Sequence, residues 1–152
     1  MPRTEFSREV VVAASPKECW ATVTDVPRLV EWVSIVERAQ EVEHLARYTA
    51  VLADRIGPFK LRADLDITVD DVDEPHRVHV RAAGEDRSVN SRLAVDAVLE
   101  IEPSDAGTQL RAHGQYEVTG RVAAMGGGTI NKKASRILDD FFGSAAHDLG
   151  TP

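Results

Sequence analysis

Pro58 to Asp71 reads PFKLRADLDITVDD, and its alternation decides the fold. Phe59, Leu61, Ala63, Leu65, Ile67 and Val69 fall on one side of an extended chain, while Lys60, Arg62, Asp64, Asp66, Thr68 and Asp70 fall on the other. Side chains of a strand point alternately to opposite faces, so this segment is a strand with one apolar and one polar surface. A strand of that kind belongs in an antiparallel sheet covered on one side only.

Working outward, the same pattern recurs downstream. HRVHVRAAG turns Val78, Val80 and Ala82 inward, and SRLAVDAVLEIEP does so with Leu93, Val95, Ala97, Leu99 and Ile101. After the SDAG turn, TQLRAHGQYEVTG places Leu110, Ala112, Gly114, Tyr116 and Val118 on the inner side. Upstream, VERAQEVEH and LARYTAVLADRIG are extended but alternate poorly, and the faces of residues 35–56 stay open. EFSREVVVAA supplies a first strand, followed by two short helices. In SPKECWATVTD, Ser15 is the expected N-cap, Pro16 the first helical residue and Glu18 the partner in a capping box. In DVPRLVEWV, Leu29, Val30 and Trp32 form an apolar edge.

Beyond Gly120 the period changes. Ile130, Ala134, Ile137, Leu138, Phe141 and Ala145 recur at helical spacing, with Lys132, Lys133, Arg136, Asp139 and Asp140 opposite. A long amphipathic helix, starting as early as Arg121, closes the chain; Phe141 joins its buried stripe and Phe142 is expected to be the more exposed. Strands and helices do not alternate, which excludes a parallel sheet. The predicted class is α+β: a curved antiparallel sheet of about seven strands wrapped around the C-terminal helix, in one domain spanning residues 1–152.

Composition bounds the function. A 152-residue chain with 43% hydrophobic and 28% charged residues is an ordinary globular protein. Its net charge of −7 with dispersed arginines excludes a nucleic-acid footprint. Cys19 alone gives no disulfide framework and points to a buried thiol. Charges at Arg3, Glu5, Arg8 and Glu9 do not suit a signal peptide, and no apolar run reaches the length of a membrane span.

The run MGGGTINKK (125–133) tests for phosphate binding and fails. A Walker loop needs Ser or Thr directly after its lysine, where Ala134 stands, and the dinucleotide pattern breaks at Asn131. Gly126, Gly127 and Gly128 therefore mark either a late helix start capped by Thr129 or a continuous helix. Continuity would cost about 2–3 kcal/mol relative to alanine and would leave space beneath the helix, making the three glycines a cavity entrance.

Three strings carry a resemblance: SPKECWATVTDVPRLVEWV (15–33), YTAVLADRIGPFKLRADLDITV (48–69) and YEVTGRVAAMGGGTINKKASRILDDFF (116–142). Together they resemble the helix-grip fold of the START-like (SRPBCC) superfamily and, through the Gly57-Pro58-Phe59 turn and the terminal block, the carbon monoxide dehydrogenase CoxG family. The resemblance implies an apolar cavity between sheet and long helix, and a bound quinone or similar lipid. It also implies service to a molybdenum-containing dehydrogenase at the cytoplasmic face of the inner membrane, with transient membrane-surface contact. Family members often carry a C-terminal membrane tether. This sequence has only GSAAHDLGTP after Phe142, so stable attachment is not expected of it.

The expected cavity lining is Trp32, Tyr48, Phe59, Leu61, Leu65, Leu93 and Val95 from the first two-thirds of the chain, and Tyr116, Val118, Met125, Ile130, Leu138 and Phe141 from the rest. Tyr116 and Tyr48 are the hydroxyls that could meet a headgroup carbonyl or equally be tethered in the core. His79 and His113 fall on the polar phase and His76 in a turn, no metal-ligand spacing occurs, and no nucleophile elbow or acid/base pair is present, so neither catalytic nor metal-binding residues are nominated. An apolar cavity binds by buried area and offers little to a developing charge, which favours a carrier without cofactor over a catalyst. The alternative is a polyketide cyclase or aromatase, for which Arg47, Arg55 or His44 would have to face the cavity.

Overall fold

The computed structural model describes residues 3–152, apart from the side chain of Met125. Strand β1 (Thr4–Val12) leads into helices α1 (Pro16–Val23) and α2 (Val26–Trp32), then strands β2 (Val36–Glu43), β3 (Arg47–Ile56), β4 (Phe59–Asp73), β5 (Arg77–Asp86), β6 (Ser91–Ser104) and β7 (Gly107–Gly120), and helix α3 (Gly127–Leu149). The expected capping box starts α1: Ser15 Oγ accepts from the Glu18 N–H at 3.2 Å, and Glu18 reaches back to the Ser15 N–H at 3.4 Å.

One seven-stranded sheet runs β1-β7-β6-β5-β4-β3-β2, with antiparallel neighbours. Leu65 stands opposite both Ala50 of β3 and Gly84 of β5, which fixes the inner phase of those strands. The faces of β3 follow from this register: Tyr48, Ala50, Leu52, Asp54 and Ile56 share the inner phase, and Arg47 and Arg55 the outer one. The outermost strand, β2, pairs with β3 in a register broken between Val36 and Arg38 and again between Glu41 and Glu43.

Two apolar clusters form. The larger joins α1, α2 and the second half of α3 to one end of the sheet through Val12, Trp20, Trp32, Ile101, Leu110 and Phe142; the smaller is Ala50, Leu52 and Leu65 with Ile67, Leu93 and the start of β2 around it. The carboxyl end of α3 is tied to the β1–α1 junction by the N–H groups of Ala13 and Ala14, which donate to the carbonyls of Gly150 and Leu149.

Two expectations about the terminal block are corrected. The helix does not begin at Arg121: a 3-10 turn occupies Val122–Met125, and Gly126 is the N-cap of α3 with φ 94°, a left-handed conformation that favours glycine. Thr129 is inside the first turn rather than at the cap. The glycines thus sit at and just after a helix start, where the cost of an interior glycine is not incurred. Phe142 is not exposed either; it is 7% accessible and belongs to the main core, while Phe141 meets Trp32 edge-on with ring centroids 5.3 Å apart. The end of α3 is flanked by both the sheet and α2, so its apolar stripe is wide enough to take two adjacent aromatic residues.

Candidate functional site

The two halves of α3 meet the sheet differently. Leu138, Phe141, Phe142, Ala145 and Leu149 pack into the main cluster. Ile130, Ala134 and Ile137 of the first half belong to neither cluster and are partly accessible. The same holds for the inner surface facing them: Phe59, Leu61, Ala82, Val95, Ala97 and Val118 lie outside both clusters and are partly accessible. Interiors close-pack, so a set of inward apolar side chains that neither packs nor becomes fully buried marks a surface available to something else.

Polar contacts, not apolar packing, connect the first half of α3 to the sheet. The Tyr116 hydroxyl donates to Asn131 Oδ1. Arg8, on the inner phase of β1, donates from Nη2 to Ser135 Oγ at 2.6 Å and places Nε 3.4 Å from Asp139 Oδ1. On the far side, Lys133 Nζ lies 3.0 Å from Asp54 Oδ2, at an angle that makes the contact electrostatic rather than a hydrogen bond. Both side chains are about a quarter accessible. Asp54 and Lys133 stand where the sequence suggests an apolar wall and a solvated helix face. Lysine's long stem carries its ammonium back over the helix edge.

The expected lining residues divide into groups. Phe59, Leu61, Val95, Val118 and Ile130 sit on the unpacked surface, and Leu65 and Leu93 in or against the smaller cluster. Trp32 is 2% accessible in the main core, with Nε1 donating to Asp148 Oδ2 at 2.7 Å. That bond, with contributions from His147 and Arg28, holds the Asp148 carboxyl below the usual carboxylate range. Leu138 and Phe141 pack against the same core. Tyr48 is inward, yet its hydroxyl accepts the Leu45 N–H at 2.9 Å within the β2–β3 turn. The Met125 side chain lies outside the described residues. Gly126, Gly127 and Gly128 are exposed, and a Cβ added at Gly126 or Gly128 would meet nothing within 4 Å.

A crevice of about 650 Å³ opens between the β3–β4 hairpin and the first half of α3, lined by Arg55, Ile56 and Gly57 on one side and by Thr129, Lys132, Lys133, Ser135, Arg136 and Asp139 on the other. Sequence reading missed it, because Arg55 and Lys132 are 77 positions apart and only the fold joins them. Beside it the Arg121 guanidinium sits 5.9 Å from the centre of the Phe59 ring.

The opposite face of the sheet is polar and self-neutralising. A groove of about 990 Å³ there includes Arg62, Glu85, Arg87 and Arg92, with Glu85 paired to both Arg87 and Arg92. His79, on the outer phase as expected, lies 2.9 Å from Asp70 and 2.5 Å from Asp96, while Arg81 bridges the same two carboxylates. The His79 bond, first among several, lowers the Asp96 pKa. Among the described residues no three His, Cys, Asp or Glu side chains converge as metal ligands, and no helix is long and apolar enough to cross a membrane.

Known proteins share this geometry. The family model for the carbon monoxide dehydrogenase G chain (CoxG) matches residues 9–150. Among solved structures, a conserved protein from Geobacillus kaustophilus is similar with a TM-score of 0.82 and 23% identity, covering 97% of this chain and 95% of that one. A START superfamily protein from Mycobacterium smegmatis has a TM-score of 0.74 at 16% identity, covering 95% and 96%. DynU16, a protein of the dynemicin biosynthetic locus, has a TM-score of 0.61 at 20% identity, covering 94% of this chain and 46% of its own. No curated protein matches the chain. The helix-grip architecture is common to these likenesses.

Proposed function

Since the chain belongs to the carbon monoxide dehydrogenase CoxG family, we propose that it is a non-enzymatic carrier for a hydrophobic small molecule of the lipid or quinone class. The ligand lies between the sheet and the first half of α3. The observation that carries this reading is the inward apolar surface of Phe59, Leu61, Val95 and Val118 beneath Ile130 and Ile137, left outside both packed clusters. Burying such surface stabilises a complex by roughly 25 cal/mol per Å², whereas the side chains there provide no nucleophile or base. The family description further supports service to a molybdenum-containing dehydrogenase, with the carrier working in the cytoplasm or transiently at the inner membrane face.

A cyclase acting in the same space is the second reading, and the likeness to DynU16 keeps it in view. The side chains it would call on point elsewhere: Arg47 and Arg55 take the outer phase of β3, and His44 is exposed beside Glu41. This favours the carrier. Extraction of the purified protein with organic solvent, followed by mass spectrometry, is expected to release an isoprenoid or acyl species. A protein that emerges empty and takes up no menaquinone analogue overturns the proposal.

A further inference from the structure

Lys60, Lys132 and Lys133 are three of the four lysines in a chain of net charge −7, and they gather at one end of the molecule. Arg55, Arg121 and Arg136 join them. No Asp or Glu occurs from Val118 to Leu138, nor from Arg55 to Leu61. The local acids are Asp54 and Asp139, and both are engaged, by Lys133 and Arg8 respectively. Arg55, Lys132 and Arg136 have no carboxylate partner among the described residues.

These cations are not spread over a flat surface. Arg55, Lys132 and Arg136 converge on the 650 Å³ crevice, where the hydroxyls of Thr129 and Ser135 add donors. Its wall includes Ile56, which shares the inner phase of β3 and stands opposite Phe59 of the unpacked surface. A site that is cationic and hydroxyl-lined at one end and apolar at the other matches an amphiphile with an acidic head. Resting on the carrier reading, we infer that the crevice binds the anionic group, carboxylate or phosphate, of an amphipathic ligand whose tail lies between the sheet and α3.

The test measures calorimetric binding of monomeric decyl phosphate, decanol and inorganic phosphate to the intact protein and to the Lys132→Gln/Arg136→Gln variant. Both substituted residues are exposed, so the variant keeps its fold, which its circular dichroism and melting temperature verify. Decyl phosphate is expected to bind the intact protein about tenfold or more tighter than decanol, and the variant to lose that advantage while binding decanol unchanged. Equal affinities for decyl phosphate and decanol, or a variant that keeps the preference, overturn the inference and leave the carrier reading standing. Inorganic phosphate binding as tightly as decyl phosphate assigns the crevice to a free anion and overturns it too. Failure of both amphiphiles removes the carrier reading with it. Charge-dependent binding to phosphatidylglycerol vesicles without monomer binding would instead make this end a bilayer contact and overturn the inference.

Discussion

Lys133 Nζ on α3 approaches Asp54 Oδ2 on β3 to 3.0 Å, the one ionic contact from the first half of α3 to the far side of the sheet among the described residues. Coulomb attraction here acts in a partly dry environment, so it exceeds that of a surface pair without reaching the strength of a fully buried one. Lys133→Ala is expected to destabilise the protein by about 1–2 kcal/mol, because it strands the Asp54 carboxylate. Adding Asp54→Ala should recover part of the loss. Urea unfolding of the four proteins of this cycle gives the coupling, and additive effects would deny the pair any role.

Identical truncations should separate packed from unpacked apolar surface. Leu110 is fully buried in the main core, and Leu110→Ala is expected to cost about 3–4 kcal/mol. Leu61 touches neither cluster, and Leu61→Ala should cost about 1 kcal/mol or less. Equal losses in denaturant unfolding would mean that α3 packs on the sheet along its whole length.

Asp86 is 5% accessible and accepts the Arg62 N–H at 2.7 Å, the Ser88 N–H at 2.9 Å and the Ser88 hydroxyl at 2.6 Å, clasping the β5–β6 turn to β4. These bonds, led by that from Arg62, lower its pKa. A depressed folded pKa adds stability that is present above the unfolded value, near 3.9, and lost as pH falls through the folded one. Asp86→Ala should therefore cost about 2 kcal/mol at neutral pH, with the gap to the parent protein shrinking below about pH 4. Unfolding midpoints measured from pH 7 to pH 2.5 check the trend, and a gap independent of pH refutes it.

Cys19 is fully buried, and burial pushes its thiol pKa up. Labelling by a disulfide reagent is expected to be negligible in the native protein and to proceed at the rate of unfolding. Prompt reaction without denaturant would contradict the packing of α1.

The strands from Phe59 to Gly120 were legible because each carries polar residues on one side only, which makes period two visible. In β3, Ala50, Val51 and Leu52 are buried in succession, so neither face stands out, and the inward Asp54 hides among residues that read as outward. Pairing with Leu65 settles the phase, and pairing is a property of two segments rather than one. The helical wheel finds the stripe of α3 but not which part of it lacks a partner. That division depends on α1, α2 and the ends of the strands crowding the Phe141 end and leaving the Ile130 end uncovered. The cationic crevice was hidden for the same reason: its two walls come from segments with no relation along the chain.

The twice-broken register of β2 reaches beyond the monomer. An outermost strand offers unpaired amide and carbonyl groups to any extended segment of another molecule, which is how sheets grow into fibres. Two bulges interrupt that ladder, and exposed Glu37, Arg38, Glu41 and Glu43 keep it hydrated. A straight, uncharged β2 would serve this fold equally well in isolation and would expose it to self-association at high concentration.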